Sequence, residues 1–184
     1  MKAFSLLTCL LFLLISSTVA RAEIVKSAVP CEGNNCLYWW PKAPSPPGWH
    51  QDQKASDAGG INAQAPDGSS FAEAETVIYA KAIYKPLVPT ITSLAMLIDA
   101  DRKDFLARDP KLAIGEPEAL STGDGTVLRS FTFSPGGEGN WEEVAYGEEG
   151  DFFLIFTVSS RSQAGLALTR DTYRRFIKGY RGKP

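Results

Sequence analysis

The sequence predicts an α+β protein: an antiparallel β-sheet of about six strands packed with two main helices. Three observations carry that expectation. Phe152–Val158 is an almost continuous apolar run of strand length, which marks a central strand covered on both faces. Two segments, near 92–109 and 169–181, place apolar residues at helical spacing. The late strands are joined by short Gly-containing turns, and connections that short require antiparallel pairing.

The chain has 184 residues. It opens with Lys2, an apolar stretch from Phe4 to Ile15, the more polar Ser16-Ser17-Thr18, and Ala20-Arg21-Ala22 with small residues at the two positions a signal peptidase reads. The pattern predicts a cleavable secretory signal over 1–22, followed by an arm over 23–50 and an α+β domain over 51–184. The apolar stretch is short for a membrane span of about 20 residues, and no later stretch reaches that length, so no transmembrane segment is expected after cleavage. Loss of Lys2 and Arg21 shifts the net charge from −2 to −4. An acidic chain lacks the clustered positive excess that phosphate backbones require, which argues against nucleic acid as a partner.

Cysteine usage agrees with export. Cys9 leaves with the signal. Cys31 and Cys36 remain, separated by Glu32-Gly33-Asn34-Asn35, whose Gly and Asn residues suit a tight loop. In an oxidising compartment this pair reads as a local disulfide. Thioredoxin-type chemistry uses two intervening residues, and a zinc site needs further ligands, which a chain with His50 as its one histidine does not supply. No metal or cofactor is expected.

The arm continues through Leu37-Tyr38-Trp39-Trp40 into Pro41–Trp49, whose four prolines disfavour helix and central strand. Trp39, Trp40 and Trp49 lie beside these prolines. They are expected either to cover an edge or face of the sheet or to form an aromatic platform for a ligand. Gln51–Ala65 is weakly patterned, with a short strand at Ile61–Ala65, and Pro66-Asp67-Gly68 is a turn. Thr76–Tyr84, rich in β-branched and aromatic residues, is a strand stopped by Pro86 and Pro89. The first main helix is expected to start with Thr92 as N-cap, to bury Leu94, Leu97, Ile98 and Phe105, and to end at Asp109-Pro110. Strands follow at Thr126–Phe133, Trp141–Tyr146 and Phe152–Val158, the last two joined by a turn at Gly147–Gly150. The final helix is expected to be capped by Thr169 and to bury Tyr173, Phe176, Ile177 and Tyr180, with Arg170, Arg174 and Arg175 among the residues on its other faces.

The entry Pro47-Gly48-Trp49, the turn Pro66-Asp67-Gly68 before a strand, the mid-chain helix, the meander and the closing helix together resemble the PsbP-like superfamily, which includes exported bacterial DcrB-type proteins. The resemblance covers residues 47–181. It implies a curved antiparallel sheet packed between helices, and a role as an accessory or binding module.

Catalytic patterns are sparse. A triad needs a base beside a nucleophile; His50, with Asp52 to orient it, is the one candidate, and no Gly-x-Ser-x-Gly elbow is present. The glycine-rich segment 135–140 lacks the Lys-Ser/Thr of a phosphate cradle. The acidic hairpin carrying Glu142, Glu143, Glu148, Glu149 and Asp151 and the basic final helix are expected either to attract each other or to face partners. The resulting expectation is a non-enzymatic binding or accessory module, periplasmic or secreted, with a protein or small-ligand partner in the envelope. Its binding residues are expected to be Trp39, Trp40, Trp49, Arg170, Arg174 and Arg175. A small hydrolase and an inhibitor or immunity-type protein are the alternatives.

Overall fold

A computed structural model describes residues 24–31 and 34–182; the expected signal over 1–22 lies outside them. The chain runs β1 (Ile24–Cys31), β2 (Asn34–Pro41), β3 (Trp49–Gln51), α1 (Gln53–Gly59), β4 (Asn62–Pro66), β5 (Thr76–Tyr84), α2 (Leu94–Arg108), β6 (Ala113–Ile114), β7 (Glu118–Ser121), β8 (Val127–Ser134), β9 (Trp141–Glu149), β10 (Phe152–Ser160) and α3 (Gln163–Gly179). All strands belong to one antiparallel sheet, ordered β1-β2-β5-β10-β9-β8-β6.

The α+β class holds, but the sheet has ten strands rather than about six. The excess has two sources. The arm folds as the hairpin β1–β2, whose Trp39 pairs with Ala82 of β5. Each flank of the central strands is also shared by two strands. β2 and β4 divide the outer edge of β5, and β6 and β7 divide that of β8. β4 falls on the short strand expected at Ile61–Ala65, whereas the two- to four-residue β3, β6 and β7 leave too little alternation to be read from sequence.

β10 is central, paired with β5 and β9 along its whole length. Its side chains alternate between two cores. Leu154, Phe156 and Val158 pack with Ile78, Ala80 and Ala145 under Leu166, Tyr173, Phe176 and Ile177 of α3 and Tyr180 at its C-cap. Phe153 and Ile155 pack with Phe131, Val144 and Tyr146 against Leu97 and Ile98 of α2. The expected apolar stripes of both helices are therefore the surfaces that cover the sheet. The β9–β10 turn is tighter than the sequence suggests: strand pairing runs to Glu149, and Gly150 takes the left-handed conformation (φ 53°) beside Asp151.

Three helix boundaries differ from expectation. Ser93, not Thr92, caps α2, its hydroxyl accepting from the Met96 amide at 3.3 Å. α3 is capped seven residues before Thr169, by Ser162, whose hydroxyl accepts from the Gly165 amide at 3.1 Å. A glycine in a first turn argues against helix in isolation, yet a Cβ on Gly165 would collide with the Ser160 and Thr76 hydroxyls, so the close seat of α3 on the sheet requires it. α1 was not expected at all. Asp52 caps it, and Gly60 ends it in the left-handed region (φ 60°) with the Tyr38 ring lying where a Cβ would stand.

Among the described residues, no helix is long and apolar enough to cross a membrane. Cys31 and Cys36 are bonded beside the turn of the β1–β2 hairpin, Cα atoms 5.8 Å apart, as expected.

Candidate functional site

Strand register lays out the α2-side face in rows. Val77, Ser159, Glu142 and Phe133 form one row across β5, β10, β9 and β8; Tyr79, Thr157, Val144 and Phe131 form the next; Lys81, Ile155, Tyr146 and Arg129 the third. α2 covers the β8–β9 part of this face. Phe105 stacks on Phe133 at 4.1 Å, and the Tyr146 hydroxyl donates to Asp101 Oδ2 at 2.5 Å. The part over β5 and β10, where Tyr79, Thr157, Ser159 and Glu142 replace apolar residues, remains open.

Three hollows meet there, and Glu142 lines all of them. One, of about 340 Å³, runs between the end of α2 and the 135–140 loop, walled by Phe105, Arg108, Leu112 and Pro135. A second, of about 440 Å³, lies against the 71–75 segment, with Phe71, Val77 and Tyr79 on its wall. The third, of about 180 Å³ and the most enclosed, lies beneath the C-terminal half of α2 and is lined by Tyr79, Lys81, Asp101, Arg108, Glu142 and Thr157. An elongated concavity with a few convergent polar groups on a mostly preformed surface is the usual form of a ligand site.

Glu142 is held in place by a chain of hydrogen bonds. Asn140 Nδ2 donates to the Ser159 hydroxyl at 3.0 Å, and that hydroxyl donates to Glu142 Oε1 at 2.7 Å. Burial pushes the carboxyl pKa above its ordinary value, although the Ser159 hydroxyl and the Arg108 charge pull it back. Desolvation also raises the Tyr79 phenol, and the neighbouring Glu142 charge adds to that rise, so Tyr79 stays protonated. The cleft therefore holds two carboxylates, Glu142 with an oxygen not engaged by Ser159 and Asp101 bonded to Tyr146, with a neutral phenol and two cations.

The residues singled out from sequence lie elsewhere. Trp39 packs against Tyr84 and Phe152 at 5.3 and 6.3 Å with Lys26 over its ring, and Trp49 packs against the α3-side core. Trp40, the next residue of the strand, is buried and points to the opposite face, so Trp39 and Trp40 do not share one surface. Arg170 Nε pairs with Glu143 at 2.9 Å; that carboxylate is 1% exposed and also accepts from the Ser130 hydroxyl. Arg174 pairs with Glu118 at 2.8 Å, and Arg175 donates to Thr172 on its own helix. The acidic hairpin and the basic helix thus attract each other through Arg170 and Glu143.

The His50–Asp52 arrangement does not form a base–orienter pair. Both Asp52 oxygens accept backbone amides, from Ala55 and Phe71, and these hydrogen bonds hold its pKa low. His50 Nδ1 instead lies 3.5 Å from Asp67 on the surface.

Sequence reading placed Glu142 in a charged hairpin and missed the cleft. The available signal was a run of polar residues, Tyr79, Glu142, Thr157 and Ser159, at positions of one alternation class in strands that are otherwise apolar. Only the register shows that the four are neighbours.

No family model matches this chain, and no curated protein matches it. Among solved structures, it is similar to a protein of unknown function, PA94, from Pseudomonas aeruginosa. The TM-score is 0.50 at 12% identity, over 86% of this chain and 98% of that one. At that identity the likeness concerns the fold alone, and the PsbP-like resemblance rests on element order.

Proposed function

We propose that this chain is an exported, non-enzymatic binding or accessory module whose ligand site is the cleft centred on Glu142. The observation that carries the reading is the convergence of three hollows on one carboxylate fixed by Ser159 and Asn140. Such a carboxylate sits on the floor of a face whose other polar positions are buried or half-buried, where an uncompensated charge is costly unless it has a partner to meet. The Cys31–Cys36 bond supports export to the periplasm or beyond, since such bonds persist in oxidising compartments. The PsbP-like resemblance of residues 47–181 points to the same accessory role.

The test is a fragment screen by NMR on the isotopically labelled protein. Ligands of the cleft shift the amides of Tyr79, Asn140, Glu142 and Thr157 in the native protein and lose affinity in Glu142→Gln. Loss of one charge-assisted hydrogen bond weakens binding on the order of tenfold or more. A screen in which no compound shifts these amides, or in which every hit maps to the β1–β2 hairpin, refutes the assignment of the site.

A further inference from the structure

Two hollows are each lined by a pair of cations, and they differ in how those cations are met. Between β7 and α3, Arg174 is paired with Glu118 and the Lys178 ammonium donates to Ser121 at 2.9 Å. There each cation already meets a polar group of the opposite wall, although Arg174 Nε is buried without a partner. Beneath α2 the situation is reversed. The Lys81 side chain forms no hydrogen bond and no ion pair within 4.0 Å among the described residues. Arg108 spends its Nε on the Asp104 carbonyl at 3.3 Å and lies over the Phe105 ring at 4.6 Å, leaving its terminal nitrogens without a carboxylate. The side-chain hydrogen bond of Glu142 is with the Ser159 hydroxyl and that of Asp101 with the Tyr146 hydroxyl, while the Arg108 and Lys81 charges act on Glu142 from beyond ion-pair distance.

The small hollow therefore carries two cations and two carboxylates, Arg108 and Asp101 from α2 and Lys81 and Glu142 from the sheet, with no ion pair within 4.0 Å between them. A simple anion would leave the carboxylates unmet, and a simple amine would leave the cations unmet. A ligand bearing both signs a few bonds apart satisfies both.

Resting on the reading of this cleft as the ligand site, we infer that it takes a free α-amino acid with an apolar side chain. The ammonium lies at Glu142, the carboxylate at Arg108 and Lys81, and the side chain in the adjoining hollow walled by Phe105, Leu112 and Pro135. The sizes agree. About 180 Å³ accommodates the two charged groups and the carbon between them, and about 340 Å³ lies beyond for an aliphatic or aromatic side chain. Arginine suits the carboxylate end because its planar fork can donate two parallel hydrogen bonds. The fixed Asn140–Ser159–Glu142 chain suits the ammonium end because the acceptor is oriented before the ligand arrives.

Isothermal titration calorimetry with L-leucine, leucinamide and N-acetyl-leucine tests the assignment. L-leucine binds, and each half-ligand, lacking one charge, binds about tenfold more weakly or worse. Glu142→Gln weakens L-leucine while leaving N-acetyl-leucine unchanged; Arg108→Gln weakens L-leucine while leaving leucinamide unchanged. Lys81→Gln serves as a second variant at the carboxylate end, and circular dichroism shows that each variant is folded. Leucinamide or N-acetyl-leucine binding as tightly as L-leucine overturns the inference. So does the absence of L-leucine binding when other fragments still shift the cleft amides, an outcome that leaves the cleft reading intact. Silence of the cleft toward every fragment removes both.

Discussion

The two faces of β10 are built from the same strand and serve different ends. On the α3 side, Leu154, Phe156 and Val158 are fully buried under a helix that presents four large side chains along one stripe. On the α2 side, apolar packing covers only Phe153 and Ile155, while Thr157 and Ser159 continue the same face into an open polar cleft. α2 itself is less one-sided than α3, with Met96 and Leu106 exposed and only Leu97 and Ile98 buried. One face has the packing of a stability core. The other relinquishes packing where charged and hydroxyl groups gather, which is the common relation between stability and a working site.

Truncation on the closed face should have the largest effect. Phe156→Ala empties a site that is 0% exposed, against Phe176 and Tyr180, and should lower stability by about 3–5 kcal/mol. Denaturant unfolding measures it. A loss well below this would mean that the α3 side is as loosely filled as the α2 side.

Arg170→Ala comes next. It strips the partner from the buried Glu143. A fully buried pair broken this way costs about 3–5 kcal/mol, and because Arg170 is 41% exposed the expected loss is about 2–3 kcal/mol. An unchanged denaturation midpoint would show that Ser130 and water suffice for Glu143.

The Cys31→Ser/Cys36→Ser double variant should cost no more than about 2 kcal/mol, since the closed loop is very short. Its effect should be confined to the hairpin. Faster hydrogen exchange in β1 and β2 with β5 and β10 unchanged is the expected pattern, and exchange spreading into β10 would contradict it.

The smallest effect is expected at Glu142, and its sign is the informative part. Burial raises this pKa in the folded chain above the ordinary value of 4.5. Between the unfolded and folded values the native state binds more protons, so native stability declines as pH rises through that window. Above the window the cost of the buried charge is complete, and below 4.5 it is absent. Glu142→Gln should therefore raise the melting temperature at neutral pH and leave it unchanged in acid. Destabilisation at neutral pH would mean that Glu142 is a structural anchor like Glu143 rather than a group retained for a ligand.

The two layers were legible in sequence because their signals are long. Six apolar residues in β10 and the stripe Tyr173, Phe176, Ile177, Tyr180 report burial directly. The arm was partly legible: the disulfide followed from two cysteines with turn residues between them, but the pairing of Trp39 with Ala82 did not, because prolines nearby argued against a sheet. α1 was hidden because seven residues without an apolar stripe give no period, and its signals, Asp52 and Gly60, have other uses. The cleft was least legible. Its members come from β5, α2, β9 and β10, and no local pattern joins Tyr79 to Glu142 or Lys81 to Arg108.

Glu142 and Glu143 are consecutive in β9 and of the same chemistry, yet one opens onto the cleft and the other is sealed beneath α3. What separates their roles is parity alone. If β9 slid by a single residue along β10, the carboxylate now matched to Arg170 would be delivered to the cavity, and its neighbour would be driven into the hydrocarbon layer. The tight Gly150-Asp151 reversal, which clamps the two strands in their present alignment, therefore decides which glutamate can meet a ligand, although it lies at the far end of the hairpin from both.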